Sequence, residues 1–509
     1  MCGIAGILTT PGSVDLRLLE AMTRVQSHRG PDGEGYVLLS LGAQEKPVPV
    51  IGALTESVRP NGNQFAVGFG HRRLAIVDLT PLGRQPMGTD DGLLWITYNG
   101  EIYNAPELRR ELEAERHRFR SESDTEVVLA AYRAWGPGCL DRFNGMFAFA
   151  LWDARERTMF CARDRFGIKP FYFRHVRDRF LFASEIKALI QDPSYTRRPH
   201  EPAMQAYLSD SRHDDRAETF FEGISQLRPG ESLIVKPIGD TVRPDRQCWW
   251  TLPDGNVSLS AADAAEQLRD RLEDAVRLQL RADVPVGSCL SGGLDSSSIV
   301  CLATRLLGAQ TPFLTFSSCF EDARYDERPF IRAVCARTGA VEHDVFPDPA
   351  ALWPELPNII WHQDEPVAGP SVLAQWTVMQ GAGRAGAKVL LDGQGADETL
   401  LGYPGFLGSR VAGLVRSLRW QRARAEWSAW RREHGTVPVT TWANLIGGVV
   451  PRPAARWLRS RAADERAWLV PSVTGRAYQT EQEDAGSSLL DRHMGRSIGS
   501  DLPALLHYE

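Results

Sequence analysis

The hydrophobic rhythm of this chain changes near residue 262, and that change argues against one continuous core. Upstream, short apolar runs are separated by turn residues: 65–70, 93–98, 146–152, 158–162 and 180–182 read as strands. Two helices interrupt them, near 105–116 and 124–135, the second opening on a capping box, Ser123-Asp124-Thr125-Glu126. Mostly antiparallel strands with segregated helices predict an α+β layered domain. Downstream, helix 262–281 leads into strand 284–290 and helix 296–307, and strands 312–318, 341–346 and 387–391 alternate with helices 326–338 and 371–385. That alternation predicts an α/β doubly wound parallel sheet. At 509 residues the chain exceeds the roughly 250–300 at which single cores stop growing. The expected division is a first domain over 1–205, a connecting region with a short hairpin over 206–260, and a second domain over 261–509. Residues 407–470 are rich in Arg and Trp and read as helical.

Composition narrows the class of partner. A net charge of −6 argues against nucleic acid or an anionic membrane surface. No run approaches the 18 or so consecutive apolar residues of a membrane span, and residues 1–8 lack the pattern of a signal peptide. The eight cysteines (2, 139, 161, 248, 289, 301, 319 and 335) form no C-x-x-C pair. They suit reduced thiols, and the expected location is cytoplasmic.

Two motifs carry chemistry. Cys2 directly follows Met1, so removal of the initiator would put a thiol and a free α-amine on one residue. An α-amine titrates near 8, so a useful fraction is an unprotonated base beside the nucleophile. Alternatively, Cys2 is only a small hydrophobe at the start of an edge strand. The second motif is Ser291-Gly292-Gly293-Leu294-Asp295-Ser296-Ser297, preceded by Leu290, between an apolar strand and an apolar helix. Backbone N–H groups and the helix dipole favour phosphate there. It is not a Walker A loop, since no GxxxxGK(S/T) occurs.

The SGG-x-DS run resembles the pyrophosphate loop of ATP-pyrophosphatase domains. Together with Met1-Cys2-Gly3-Ile4, the chain resembles the glutamine-hydrolysing asparagine synthetase family from residue 1 to about 405. That family joins a class II (Ntn-type, αββα) glutamine amidotransferase domain to an ATP-pyrophosphatase domain. Further matching blocks are 28–32 (HRGPD), 70–78 (GHRRLAIVD), 99–104 (NGEIYN), 123–126 (SDTE) and 163–170 (RDRFGIKP). The resemblance implies that Cys2 attacks the glutamine amide and that Asn99 and the Gly100 N–H form an oxyanion hole. It implies that Arg73 holds the glutamine carboxylate, while Glu101 and Asp124 hold its α-amino group. An Arg fork suits a carboxylate. Asn99-Gly100 is also a hairpin-turn dipeptide, and Asp124 also serves as a helix N-terminal charge. For ATP, the resemblance implies Leu290 to Ser297, Phe316 on the next strand, and Gly393 and Gln394 in a second loop, 392–398 (DGQGADE). Asp295 and Asp397 would hold Mg²⁺ on the pyrophosphate; the lesser alternative for Asp397 is a helix N-cap. Residues 363–366 (QDEP) match a block near the acceptor.

The implied reaction takes glutamine, aspartate and ATP to asparagine, glutamate, AMP and PPi, in a possible homodimer. Two departures qualify it. Gln394 stands where some asparagine synthetases have Glu, and Gln cannot take a proton as a carboxylate does. The end of the chain, 502–509, resembles the start of a block that continues in the family, so the second domain is expected to lack its C-terminal end. The competing expectations are an adenylating ligase acting on another carboxylate, or closing a lactam or macrolactam, and a chain that only hydrolyses glutamine or is a non-catalytic partner.

Overall fold

The computed structural model describes residues 1–10, 12–41, 46–54, 65–210, 212–253, 257–308, 311–367, 369–450 and 489–506. The part of the 407–470 expectation beyond 450 and the last residues of the 502–509 block lie outside these. The chain forms two compact bodies, one of 1–198 with 217–393, the other of 199–216 with 394–507.

The first body holds all described strands: β1 Gly3–Thr9, β2 Gly33–Leu39, β3 Val48–Ile51, β4 Val67–Arg73, β5 Met87–Gly88, β6 Leu94–Ile102, β7 Gly145–Asp153, β8 Thr158–Arg163, β9 Tyr172–Val176, β10 Arg179–Ala183, β11 Ser225–Gln226, β12 Glu231–Ile238, β13 Thr241–Cys248, β14 Val286–Cys289, β15 Leu314–Ser318, β16 Val341–Val345 and β17 Val389–Leu391. A seven-stranded sheet runs β11-β9-β10-β1-β4-β2-β3, and a six-stranded sheet runs β13-β12-β8-β7-β6-β5. Their strand pairs are antiparallel.

Period-two alternation stacks these layers. Ile4 and Leu8 of β1, with Ala148, Ala150 and Trp152 of β7, fill the space between the sheets. Ala5 and Ile7 of β1 face helix Leu16–Arg24. Phe147, Phe149 and Leu151 of β7 face helices Ala105–Ala114 and Asp124–Trp135. Burying each such large side chain contributes about 1.5–3 kcal/mol. The result is the expected αββα sandwich.

Three features differ from the sequence expectation. β1 is the fourth of seven strands, not an edge, because β10 and β4 flank it. The hairpin of the connecting region is β12–β13, and β12 pairs with β8, so it enlarges the six-stranded sheet rather than standing apart. Asn99-Gly100 is no hairpin turn: β6 runs through it, with Asn99 opposite Ala148 and Gly100 opposite Phe147.

The remaining strands form a parallel sheet of order β16-β15-β14-β17. From β14 the chain moves outward to β15 and β16, and β17 then returns to the other side of β14. The carboxyl ends of β14 and β17 therefore border the switch point, where ligands of such sheets bind. The described part of the second body is helical, with helices Glu201–Asp210, Ala396–Leu400, Pro404–Arg416, Trp420–His434, Val439–Val449, Leu489–Arg496 and Leu502–Leu506. Among the described residues no helix is long and apolar enough to cross a membrane.

Candidate active sites

Cys2 lies just ahead of β1, in line with the end of β4, where Gly3 pairs with Arg72. The Leu74 N–H donates to Cys2 Sγ at 3.3 Å, and Arg29 Nε donates to the Cys2 carbonyl at 3.0 Å. Burial pushes the thiol pKa up, partly offset by the neighbouring amine, that Leu74 N–H, Arg29 and Arg73. Burial, followed by the Arg29 charge, lowers the Met1 ammonium to about 5. At neutral pH the pair is thus a thiol beside an unprotonated amine, the protonation states that base-assisted attack needs.

His71 ties this strand end to β6, its Nδ1 lying 3.2 Å from Thr97 Oγ1. Burial, then Arg73 and Arg72, lowers its pKa to about 3, so the ring stays neutral. Two residues beyond Thr97, Asn99 is buried, and its Nδ2 has no hydrogen-bond partner among the described residues. A buried donor left over fits a group that awaits an oxyanion. A Cβ on Gly100 would lie 2.4 Å from the Met146 carbonyl oxygen, so only glycine fits.

Glu101 and Asp124 form a buried acid pair. Asp124 opens its helix behind the Ser123 N-cap, but its carboxylate turns inward, accepting from Tyr98 Oη at 2.7 Å and from the Ile102 N–H at 3.0 Å. Burial raises its pKa, and those two donors moderate the rise. Burial, then the Asp124 charge, raises Glu101 to about 8, although Lys169 opposes this. Two adjoining acids starved of water call for a cation. Arg73, at the end of β4, donates to the Thr80 carbonyl at 3.1 Å and to the carbonyls of Val77 and Asp78. That loop is fastened across the first body: the Asp78 N–H donates to Asp283 Oδ2 at 2.7 Å, and the Asp283 N–H to the Ile76 carbonyl at 3.0 Å.

The glycine-rich loop follows β14 and leads into helix Leu294–Leu307. Leu290 is buried and its N–H donates to the Phe316 carbonyl at 2.9 Å. Ser296 Oγ accepts from the Ser291 N–H at 3.2 Å and lies 3.0 Å from Ser291 Oγ, which folds the loop over the helix start. Gly292 has φ +80°, and a Cβ there would lie 2.8 Å from Phe330 Cβ. Gly293 caps the helix, whose first turn carries Leu294, Asp295 and Ser297, and Gly393 abuts it, its position for a Cβ lying 3.3 Å from Asp295 Cβ. The Phe316 ring packs on Val378 and Ala382 and stacks on His343 at 5.0 Å, so its side chain belongs to the core behind the sheet. Gln394 and Asp397 belong to the second body, Asp397 in the first turn of helix Ala396–Leu400. Its cap is Gly395, so Asp397 is not the N-cap. Asp295, in the first body, and Asp397, in the second, are each a hard oxygen donor of the type Mg²⁺ takes. Among the described residues no three His, Cys, Asp or Glu converge.

A glutamine amidotransferase domain model matches residues 61–250, and an asparagine synthase model matches residues 267–500. A provisionally named asparagine synthetase (glutamine-hydrolyzing) 2 from Methanocaldococcus jannaschii is 32% identical over 434 residues, spanning 82% of this chain and 78% of that protein. The chain belongs to the glutamine-hydrolysing asparagine synthetase family. Asparagine synthetase (glutamine-hydrolyzing) 1 of Bacillus subtilis (strain 168) is 33% identical over 407 residues, 79% of this chain and 59% of that protein. The chain therefore spans about three fifths of that relative's length. A third relative is named amidase chry2, from Gibberella zeae, at 31% identity over 436 residues, 80% of this chain and 60% of that protein.

Four functional contacts escaped the sequence reading. They are the Leu74 N–H on Cys2, Arg29 on the Cys2 carbonyl, Tyr98 on Asp124, and Asp283 under the Arg73 loop. Arg29 and Leu74 lie in matched blocks, which is the signal that could have found them. The other two act across long sequence separations, which motif spacing does not record.

Proposed function

We propose that this chain is a glutamine-dependent amide-forming ligase of the asparagine synthetase type. The observation that carries the reading is the Glu101–Asp124 acid pair, two strand positions beyond the unpaired Asn99 amide and on the sheet facing Cys2. It suits the α-ammonium of an amino acid, and Arg73 suits its carboxylate. The unprotonated amine next to Cys2 takes the thiol proton as Sγ attacks the side-chain amide of glutamine. Cleavage behind Met1 would place that amine on Cys2 itself. Asn99 Nδ2 and the Gly100 N–H donate to the oxyanion, worth about 3–4 kcal/mol for each such donor. Ammonia leaves with the proton, and water releases glutamate from the thioester.

In the synthetase half, the acceptor carboxylate attacks the α-phosphorus of ATP, giving an acyl-adenylate and pyrophosphate. Residues 290–297 cradle the phosphates with N–H and hydroxyl donors, Gly393 borders them, and the strand that carries Phe316 lies beside the nucleoside. Charge on the leaving pyrophosphate would be neutralised by Mg²⁺, for which Asp295 supplies a hard oxygen donor. Ammonia then attacks the acyl carbon and releases AMP. Aspartate is the acceptor we favour. Gln394, together with a relative named as an amidase at similar identity, supports a second reading in which another carboxylate is amidated.

Amide-¹⁵N glutamine, aspartate and Mg-ATP test both. Labelled asparagine with AMP supports the first reading. Labelled ammonia with no labelled asparagine sinks aspartate as acceptor and leaves the second.

A further inference from the structure

A chain of buried charges runs from Cys2 to the loop at residues 364–366. Arg29, which donates to the Cys2 carbonyl, pairs through Nη1 with Glu185 Oε1 at 3.2 Å, and His28 Nε2 lies 2.8 Å from the same oxygen. The other Glu185 oxygen, Oε2, lies 2.9 Å from Lys187 Nζ, which reaches Asp364 Oδ1 at 3.1 Å. The remaining Asp364 oxygen accepts the Ile186 N–H at 2.7 Å. Arg29, Glu185, Lys187 and Asp364 each keep less than a tenth of their side chains exposed. Burial alone would raise the Glu185 pKa, but the His28 hydrogen bond and the Arg29 and Lys187 charges hold it near 2. The segment carrying Glu185 and Lys187 is also fastened to β1, since Ser184 and Ile4 exchange hydrogen bonds of 3.0 Å through Ser184 Oγ and the two main chains.

At the far end, Asp364 closes helix Leu352–Gln363 in a left-handed conformation, φ +64°, unusual for a residue with a side chain. Ile359 of that helix packs on Val372 and Leu373 of helix Ser371–Arg384, whose Val378 and Ala382 pack on Phe316. The proposed nucleotide strand and the Cys2 main chain are thus ends of one packed series. Lys187 is the only link in it that joins the two halves by an ion pair among the residues of this chain of contacts.

We infer that Lys187 is a positioning residue whose pairing with Asp364 transmits occupation of the synthetase half to the geometry of Cys2. It rests on the reading that Cys2 hydrolyses glutamine and that ATP binds at the 290–297 loop. Movement of the Asp364 loop would withdraw both its contact to Lys187 and its contact to the Ile186 N–H. Lys187, too buried to recruit water, would shift with Glu185, and Arg29 with it.

Two rates on the full chain test this, each with no nucleotide, with Mg-ATP, and with Mg-ATP plus aspartate. One is glutamate release from glutamine; the other is alkylation of Cys2 by iodoacetamide, followed by peptide mass spectrometry. In the wild type both should change about fivefold or more on adding Mg-ATP or Mg-ATP with aspartate, the usual lower range of site-to-site coupling. Lys187→Met, whatever its nucleotide-free rates, should give the same two rates with and without the additions, losing the response. Should that variant fail to fold, Lys187→Met with Asp364→Asn removes both charges together and should lose the response as well. A wild-type protein whose two rates ignore both additions overturns the inference, and so does a folded variant that still responds. Absent glutamate release with a Cys2 alkylation rate that still responds overturns the glutaminase reading alone.

Discussion

Burial lifts the Glu101 carboxyl to about 8, and the Asp124 charge beside it adds to the effect. An ammonium ligand favours the ionised carboxylate, so below that pKa binding must first expel a proton. The KM for glutamine should therefore rise as pH falls from 8 towards 6, by at most about tenfold per unit. Glu101→Gln should bind more weakly and flatten that profile; a Gln variant with the wild-type slope would remove Glu101 from ammonium binding. Cys2→Ala tests a different atom. It should abolish glutamine-dependent product while ammonium chloride still supports ATP-dependent synthesis, as measured by AMP release. Loss with both nitrogen sources would mean that Cys2 matters to the fold rather than to hydrolysis.

At the scale of elements, the strand–loop–helix after β14 depends on one glycine. Gly292→Ala combines a left-handed backbone with a Cβ pressed against Phe330, so ATP-dependent AMP formation should fall at least about tenfold. Glutamine hydrolysis measured without ATP should be unaffected, because the loop lies in a different sheet from Cys2. Much of this element level was legible beforehand. The strands 146–152 and 158–162 emerged within a residue of their ends because Phe149 and Leu151 alternate cleanly against Ala148 and Ala150. Helix Leu352–Gln363 was not foreseen: Pro357 interrupts its pattern, and Trp353, Ile360 and Trp361 stay substantially exposed, blurring the apolar stripe. The candidate site residues could be named from the sequence because each lies in a dense local motif. Their supports, such as Tyr98 under Asp124, could not, because a tyrosine in an apolar run reads as core.

Across the whole molecule, the first body joins an antiparallel sandwich to a parallel sheet through a few specific contacts. Arg281 meets Glu107 with two 2.8 Å hydrogen bonds and donates to the Tyr103 carbonyl at 3.0 Å, and Lys388 meets Asp32 at 2.8 Å. These ion pairs are partly exposed, so each contributes little, about 0–1 kcal/mol. Asp283 differs, because it anchors the loop that carries the Arg73 contacts. Asp283→Ala should raise the KM for glutamine several-fold, about 1 kcal/mol of lost binding, with ammonia-dependent synthesis retained. Equal losses in both assays would assign Asp283 to general stability instead.

The central position of β1 has a consequence for how the protein is made. Its neighbour on one side, β10, lies about 180 residues further along the chain, as the Ile4–Ser184 bond records. Translation at about 5–20 residues per second puts roughly 10–40 s between the emergence of the two strands. Throughout that interval the amino terminus has no partner on that side and stays open to an aminopeptidase. Once β10 docks, β1 is held on both flanks from Ala5 onward, with Met1 and Cys2 half-buried just ahead of it. Trimming of the nucleophile's neighbour is thus easiest on the nascent chain, and a tag left on the amino terminus would emerge beside Cys2 at the start of a central strand.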